Sequence, residues 1–445
     1  MQRFQINIDK IYSFPLEVVT VCRGDVFLVI APDTANWMVL QNLKQLNVFK
    51  YLSSGYSIKD ALAFFQDDDS VRMVVTQIEA RHFCSKQVKS VNSDFHHMHL
   101  YLTNSCNLAC PHCYMYSGKN QGDELTTAEI KQLLSAFRNA GGENITLSGG
   151  EPSLRIDFDE IVIFASKLGL KVRVLTNGSL WNKRRVDILS PYLDSIQVSI
   201  DGFSEETNAP IRGIGNFAIA LQTIDFLVTK GVNVAVAVTP PYKLLKHYFN
   251  EYVSFAKDLI FKYKNYNNFL VKFSEGLLNG REVCPTSQQN QEYYSLIQRI
   301  RKAILGEKFE VLSFAHAVSS NYIMDNCMYG VFAVAANGDV FLCARTSDVP
   351  VVANIRNTPF GEVVKISNQA ANATLISKLK PCGRCELRYI CGGGCRIDEF
   401  PELIHRVSFD SIDYDSIPPR KCCAEMKNRF YDLMILSNEY LYSTL

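Results

Sequence analysis

The chain has 445 residues, 47% of them hydrophobic, which is enough for two or three domains with complete cores. Its 46 basic and 45 acidic residues leave a net charge of +1, whereas a dedicated nucleic-acid-binding protein carries a basic excess. The sequence has no signal-peptide segment and no run of about 18 apolar residues, so we expect a cytoplasmic protein without a membrane span, whose 14 cysteines bind metal rather than form disulfides.

Residues 1–93 are predicted to form a separate domain. Val18–Cys22 and Val26–Ile30 flank the turn residues Arg23-Gly24-Asp25, a pattern typical of a β-hairpin. Helical patterns follow at residues 35–52, at 57–65 after the capping residue Ser57, and at 69–84 from Asp69 or Ser70. This order resembles the winged-helix-like domain that recognises leader peptides for enzymes modifying ribosomally made peptides. The resemblance implies a leader peptide paired with the free hairpin edge; a simple helical cap on the next domain is the alternative.

Residues 94–280 alternate apolar strands with helical stretches. The predicted strands are His97–Leu102, Asn144–Leu147, Lys171–Leu175, Ser195–Ile200, Asn233–Val238 and Phe269–Phe273. The predicted helices are Thr127–Ala140, Asp157–Leu168, Asn182–Ser190, Phe217–Lys230 and Tyr248–Lys262. The alternation indicates an α/β fold with a parallel sheet and helices outside it. Because a complete eight-stranded barrel needs about 250 residues, we predict a partial (β/α)6 TIM barrel.

Three cysteines, Cys106, Cys110 and Cys113, follow the first predicted strand with the spacing C-x3-C-x2-C. A [4Fe–4S] cluster normally takes four cysteines, so three would leave one iron open. The motif resembles that of the radical S-adenosylmethionine (SAM) family, in which SAM binds the open iron; His112 occupies the aromatic position before the third cysteine. A zinc site is the alternative, although zinc more often uses two C-x2-C pairs.

The segment Ser148-Gly149-Gly150-Glu151-Pro152 follows the second strand. Its glycines allow a ligand close to the backbone, and its carboxylate suits an ammonium group. By resemblance to the family's GGEP motif, these residues hold the methionine amine of SAM. The resemblance also implies that Asn177 and Ser199 contact the ribose or carboxylate of SAM and that Arg212 pairs with the carboxylate.

Two further carboxylates, Asp201 and Glu275, are weak candidates for the catalytic base. Asp201 follows the fourth strand and is expected near the site, because barrel active sites lie at the carboxyl ends of the strands. For Asn177 and Asp201, a simple turn before a helix is the alternative.

Residues 281–445 contain nine of the cysteines, a predicted helix at 288–304, a hairpin around Asn337-Gly338-Asp339, and a C-terminal helix at about 421–440. The cysteine spacing resembles the SPASM signature of auxiliary iron–sulfur domains; structural zinc is the alternative. The resemblance implies an outer cluster on Cys382, Cys385, Cys391 and Cys422, with Cys423 as the alternative to Cys422. It implies an inner cluster on Cys327, Cys343 and Cys395. Its fourth ligand is Cys284, or one iron is open.

The resemblance implies three [4Fe–4S] clusters, one binding SAM and two auxiliary. In the family, SAM is cleaved reductively to methionine and a 5′-deoxyadenosyl radical that takes a hydrogen atom from the substrate. We therefore predict a radical SAM oxidoreductase that matures a ribosomally made precursor peptide, forming a thioether or other crosslink, with an electron donor such as flavodoxin or ferredoxin. The alternatives are a formylglycine-generating maturase of the sulfatase-activating type, a peptide epimerase, and a catalytically silent cluster protein.

Overall fold

The computed structural model describes residues 7–85, 89–90, 96–119, 122–306, 322–406, 408–409, 411–420 and 423–443. Its strands form three sheets, of three, nine and two strands. Within the described residues, no single helix is long and apolar enough to cross a membrane. The helices Glu205–Arg212 and Asn216–Thr229 meet that test only as a pair, with a bend of 100° between them.

The N-terminal sheet is antiparallel and is followed by three helices. The elements are β1 (Val19–Arg23), β2 (Val26–Ala31), β3 (Asn36–Leu40), α1 (Leu43–Ser53), α2 (Ile58–Phe65) and α3 (Asp68–Ala80). The predicted hairpin is confirmed, and the Ser57 side chain caps α2 by accepting from the backbone N–H of Asp60. Helix α3 begins earlier than predicted, because the Asp67 side chain caps it by accepting from the N–H of Ser70.

The helix predicted from residue 35 is wrong over residues 36–40, which form β3. This strand is buried on both faces. Met38 and Leu40 pack beneath the three helices, whereas Trp37 and Val39 pack against the C-terminal region. A strand with two buried faces is apolar throughout, and such a run does not distinguish a strand from a helix.

The central part of the chain is the predicted series of parallel strands with helices between them. After β4 (Lys89–Ser90), the strands are β5 (His97–Thr103), β6 (Asn144–Gly149), β7 (Lys171–Thr176), β8 (Ser195–Ser199), β9 (Asn233–Val238) and β10 (Phe269–Phe273). The helices are α4 (Thr127–Asn139), α5 (Phe158–Lys167), α6 (Lys183–Leu189), α7 (Glu205–Arg212), α8 (Asn216–Thr229), α9 (Tyr242–His247) and α10 (Phe249–Lys262). The six strands lie side by side in chain order, all parallel, as predicted. Helices α7 and α9 were not predicted.

Alternate residues of these strands face opposite sides of the sheet. Val172, Val174, Val234 and Val236 pack against the surrounding helices in the main core. The residues between them, such as Arg173 on β7, face the concave inner side. The carboxyl ends of the strands, where the predicted SAM residues follow, therefore meet along one edge of this inner face.

The C-terminal region extends the same sheet. Strand β12 (Ala333–Val334) pairs in parallel with β5, and β13 (Asp339–Phe341) and β14 (Ala353–Asn354) continue antiparallel; β11 (Tyr322–Ile323) pairs with β4. The helices are α11 (Ser287–Leu305), α12 (Phe360–Ala373), α13 (Arg388–Cys391), α14 (Arg396–Glu399), α15 (Pro401–Ile404) and α16 (Cys423–Ser443). The predicted hairpin and both predicted helices are confirmed, whereas α12 was not predicted. The boundaries at residues 93 and 280 stay a prediction.

Candidate functional site

The first three predicted metal-binding cysteines lie on a loop between β5 and α4, which we call the cluster loop (residues 104–118). A bridge between Ser105 and Gly118 closes its base. There the N–H of Cys106 donates to Gly118 O at 2.8 Å, and the N–H of Gly118 donates to Asn104 O at 2.9 Å. Backbone hydrogen bonds therefore fix the position at which the loop leaves the sheet.

The Gly149-Gly150 turn, at the end of β6, touches the backbone that leads into the cluster loop. A Cβ atom on Gly149 would lie 2.3 Å from Thr103 O, and one on Gly150 would lie 2.1 Å from Ser105 O. The N–H of Gly150 donates to Thr103 O, and the N–H of Glu151 donates to Ser105 O, both at 2.8 Å. The glycines are thus required for contact between two segments of the chain itself, a reason that the sequence did not reveal.

A cavity of about 290 Å³, which we call the barrel cavity, opens at the carboxyl ends of the strands. It is lined by ten predicted site residues: Cys106, Cys110, His112, Cys113, Ser148, Gly149, Gly150, Asn177, Ser199 and Arg212. Tyr114, Gln197, Thr239 and Ser274 also line it and were not predicted. Gln197, Thr239 and Ser274 lie on or just after barrel strands. The alternation of side chains along those strands could have predicted that they face the cavity.

Glu151 and Pro152 do not line the barrel cavity. The carboxylate of Glu151 is fully buried and accepts from the hydroxyl of Thr176 and the N–H of Asn177, both at 2.7 Å, and from the hydroxyl and N–H of Ser153. Burial raises the pKa of this carboxyl group. Through these bonds Glu151 joins the end of β6 to the end of β7 and positions Asn177, and its contact with the ammonium group of SAM stays a prediction.

Asp201 is fully buried beneath the barrel cavity and contacts three of the residues that line it. Its Oδ2 accepts from Arg212 Nε at 2.6 Å and lies 3.2 Å from His112 Nε2, while its Oδ1 accepts from the N–H of Thr239 at 2.8 Å. Burial alone would raise the pKa of Asp201, but Arg212 and His112 hold it at about 2. With both oxygens occupied, Asp201 is placed to position side chains rather than to act as a free base.

Glu275, the other predicted base, does not line the barrel cavity. Its side chain is more than half exposed and pairs with Arg301 on α11. The neighbours Ser274 and Gly276 line the cavity instead. The structure therefore brings together the cluster cysteines and seven predicted SAM-binding residues, but it leaves neither predicted base free within the cavity.

A second group of cysteines surrounds a cavity of about 280 Å³, the outer cysteine cavity. The cysteines that line it are Cys382, Cys385, Cys391 and Cys423. Cys422, the predicted fourth ligand, lies outside the described residues. Arg420 donates to Cys391 Sγ at 3.6 Å. Burial raises the pKa of the Cys382 thiol to about 11.

The three cysteines predicted for the inner cluster also interact. Cys327 and Cys395 form a hydrogen bond, which lowers the pKa of Cys327 and raises that of Cys395. Burial raises the pKa of Cys343, and the proximity of Cys327 raises it further. Arg345 donates to Cys395 Sγ at 3.6 Å. These thiols form what we call the inner cysteine group.

Cys284 is placed beside the cluster loop rather than with the inner cysteine group. It is exposed, and the nearby residue Glu282 donates through its N–H to Pro111 O at 2.7 Å. The structure therefore does not support Cys284 as a fourth ligand of the inner cluster.

The arrangement of the cysteines is compatible with iron–sulfur clusters. Across the part of the chain that the structure describes, no three His, Cys, Asp or Glu side chains are placed to hold a single metal ion. In a [4Fe–4S] cluster each thiolate binds a different iron, so sulfur atoms arranged around a cavity are appropriate.

Comparisons with known proteins show the family to which this chain belongs. The model of the Radical SAM superfamily matches residues 100–255. The AdoMet-dependent heme synthase of Methanosarcina barkeri is 30% identical over 347 residues, which cover 68% of this chain and 95% of that protein. The chain belongs to the radical SAM superfamily, and it is a radical SAM enzyme.

Two further similarities are informative. The sporulation killing factor maturation protein SkfB of Bacillus subtilis is 31% identical over 260 residues, which cover 57% of this chain and 60% of SkfB. The structure of native anSMEcpe with bound AdoMet and Cp18Cys peptide aligns with a TM-score of 0.54 at 16% identity, covering 78% of this chain and 99% of that one. The latter similarity establishes the radical SAM fold alone.

Proposed function

We propose that this enzyme binds SAM in the barrel cavity and oxidatively modifies a ribosomally made precursor peptide. The observation that carries the first part is that a single cavity gathers the three cysteines, the Gly149-Gly150 turn, Asn177 and Arg212. Cys106, Cys110 and Cys113 would hold three irons of a [4Fe–4S] cluster and leave the fourth for SAM. When bound and reduced, this cluster supplies the electron that cleaves SAM to a 5′-deoxyadenosyl radical.

The protein's own part in this reaction is positioning. Asp201 fixes Arg212 and His112 on the floor of the barrel cavity, so Arg212 is held in place for the carboxylate of SAM. Glu151 fixes the backbone at Asn177 for the ribose. Because both carboxylates are buried, these side chains are set before SAM arrives, which lowers the entropic cost of binding.

The C-terminal region would hold two auxiliary clusters. We assign the outer one to Cys382, Cys385, Cys391 and Cys423, because these four line one cavity. The inner cysteine group would supply three thiolates to the inner cluster, which would leave one iron available to a substrate thiol. This donor set favours thioether formation among the possible crosslinks.

A peptide substrate is supported by the N-terminal domain and by SkfB, which is a maturation protein by name. Strand β1 is an edge of its sheet, paired on one side with β2. A leader peptide would add to that free edge through backbone hydrogen bonds. The electron donor would be a one-electron carrier such as flavodoxin or ferredoxin.

The test is an accurate mass of the small peptide encoded beside this gene, after anaerobic incubation with reconstituted enzyme, SAM and reductant. We expect the peptide to lose the mass of two hydrogens and 5′-deoxyadenosine to form. One thiol of the peptide should no longer react with an alkylating reagent. Cys110→Ala should abolish both products, whereas Cys84→Ala, after α3 and away from the proposed leader-binding edge, should not. Deoxyadenosine formation with an unchanged peptide mass would contradict crosslinking; incorporation of deuterium from deuterated water would then identify an epimerase.

A further inference from the structure

The inner face of the barrel contains a second cavity at the opposite end of the strands, which we call the lower cavity. Its volume is about 380 Å³, within the range of small-ligand sites, and residues near the amino ends of β7 to β10 line it. Gln197 lines both this cavity and the barrel cavity. The two cavities therefore adjoin at Gln197 on the inner face.

A small side chain on β9 leaves room in the lower cavity. Val234 and Val236 of β9 pack among the helices, so Ala235 between them faces the inner side and lines the lower cavity. Its methyl group leaves space that a larger residue would fill. On β10, Phe269, Leu270 and the exposed residue Lys272 line the cavity, whereas Val271 packs against the core.

The lower cavity presents two positive charges that the protein does not neutralise. Arg173 and Lys272 line it, both are exposed, and neither forms an ion pair with any of the described residues. Arg173 donates through Nε to Ser195 Oγ at 3.0 Å, which directs its guanidinium along the strand ends. One carboxylate, Asp194, also lines the cavity. Burial and the nearby Arg173 both lower the pKa of His97 on β5, consistent with a positive potential there.

We infer that the lower cavity binds a carboxylate of the peptide substrate, either an acidic side chain or the C-terminal carboxylate. The inference rests on the proposed function. A guanidinium binds a carboxylate through two parallel hydrogen bonds, and an ammonium group adds a point charge. Arg173 lies four residues before Asn177 along β7, which is about 13 Å at the rise of a β-strand. In an extended peptide, the residue that carries the carboxylate would thus lie about four residues from the residue that is modified.

The test is the binding of fluorescein-labelled hexapeptides to the full-length reconstituted enzyme, followed by fluorescence anisotropy. The probes are Gly-Ser-Glu-Glu-Ser-Gly with an amidated C-terminus, the matched Gln-Gln peptide with an amidated C-terminus, and the Gln-Gln peptide with a free C-terminus. At low salt we expect at least one carboxylate probe to bind about tenfold more tightly than the amidated Gln-Gln probe. Which of the two does so identifies the source of the carboxylate.

Three variants complete the test. Arg173→Gln combined with Lys272→Gln should remove the discrimination, whereas Lys167→Gln, on the outer helix α5, should keep it. Asp194→Asn should tighten the binding of the carboxylate probes, because it removes a negative charge from the lower cavity. Misfolding would weaken binding, so it does not explain this result. Equal binding of all three probes to the wild-type enzyme, or unchanged discrimination in the double variant, would overturn the inference.

The result is separable from the proposed function. Formation of 5′-deoxyadenosine without substrate depends on the barrel cavity alone, so it should be unchanged in the Arg173→Gln, Lys272→Gln enzyme. If the wild-type enzyme modifies its precursor peptide and the double variant does so equally well, only the lower-cavity assignment fails. If the probes bind as expected but no peptide is modified, the function assigned to the enzyme fails instead.

Discussion

The barrel cavity and the outer cysteine cavity both gather cysteines, but the chain holds them in different ways. The cluster loop is fixed by backbone hydrogen bonds at the end of a sheet and by the close approach of Gly149 and Gly150. The outer cysteines lie on short turns and at the start of α16, more than 30 residues apart in sequence at the widest gap. Side chains such as Arg420 and Lys427 line their cavity.

The outer cysteine cavity also depends on the N-terminal domain. Arg388 lines that cavity and pairs with Glu17 at 2.8 Å and with Asp33 at 2.6 Å. Leu387 and Ile390, between the cysteines, pack on the face of the N-terminal sheet that includes Trp37. The barrel cavity is thus preformed at the end of the sheet, whereas the outer cysteine cavity is built from three separate parts of the chain. A cluster bound in the outer cysteine cavity would link those three parts.

The largest expected effect is at the preformed site. Gly150→Ala places a methyl group 2.1 Å from Ser105 O, so the cluster loop must move or the sheet end must open. We expect a loss of about 3 kcal/mol in the free energy of unfolding, a loss of iron from the first cluster, and a fall of more than 100-fold in 5′-deoxyadenosine formation. Iron analysis, thermal unfolding and chromatography measure these three quantities.

The matched control is Gly118→Ala, in the cluster loop itself. A Cβ atom at Gly118 meets nothing within 4 Å, and its backbone bonds to Asn104 and Cys106 remain possible. The control should retain iron and activity. Equal damage from both substitutions would show that the loop tolerates no added methyl group, and would remove the special role of the Gly149-Gly150 turn.

A second prediction distinguishes the two adjacent C-terminal cysteines. Cys423→Ser should lose the iron of one cluster, about four atoms, and the corresponding absorbance, because Cys423 lines the outer cysteine cavity. Cys422→Ser is the matched control and should keep its iron. Substrate-free 5′-deoxyadenosine formation should persist in both, since the barrel cavity is separate. Iron loss only in the Cys422 variant would reverse the assignment.

Much of this architecture is predictable from the sequence because strong local patterns coincide with the structure. Strands β9 and β10 have the predicted bounds. In β9 valines alternate with small residues, and β10 is a short, mostly apolar run. The cysteine loop and the Gly149-Gly150 turn follow from spacing alone. Helix α7 was missed because it is short, contains Pro210 and ends at Gly213. Strand β3 was missed because its second buried face exists only in contact with the distant C-terminal region.

Roles that depend on long-range contacts were less accessible. The low pKa of Asp201 comes from Arg212 and His112, which lie 11 residues after and 89 residues before it in the chain. No local pattern reports that a carboxylate is surrounded by such partners. The same applies to Glu151, whose motif predicts a ligand contact, whereas its hydrogen bonds lead to the next strand. Motifs located the site, but tertiary contacts decided which residues face it.

A third prediction uses pH to probe the inner side of the barrel. Burial lowers the pKa of His99, on β5, to about 3. The unfolded chain binds this proton near pH 6.5, so the free energy of unfolding falls as the pH drops below that value. Between pH 6.5 and 5 the loss is about 2 kcal/mol for this residue. Urea unfolding should show that the free energy of unfolding declines more steeply with falling pH in the wild type than in His99→Asn. At pH 8 the difference between the two proteins reports packing alone. Parallel pH profiles would contradict the prediction.

The smallest expected effect concerns the charge beside the outer cysteine cavity. Arg420 donates to Cys391 Sγ and pairs with Glu399 at 2.9 Å. Arg420→Gln removes a cation next to a site that becomes more negative on reduction, so the reduction potential of the outer cluster should fall by on the order of 30–60 mV, the equivalent of about 1 kcal/mol. Potentiometry followed by electron paramagnetic resonance measures this shift.

Lys365→Gln, which removes an exposed cation paired with Glu362 on α12, is the control and should change no potential. The first cluster should also keep its potential in Arg420→Gln, because a different cation, Arg212, lines the barrel cavity and is held by Asp201. A shift of both clusters together would show that they share one electrostatic environment. The two sites would then differ in how the chain builds them but not in how it tunes them.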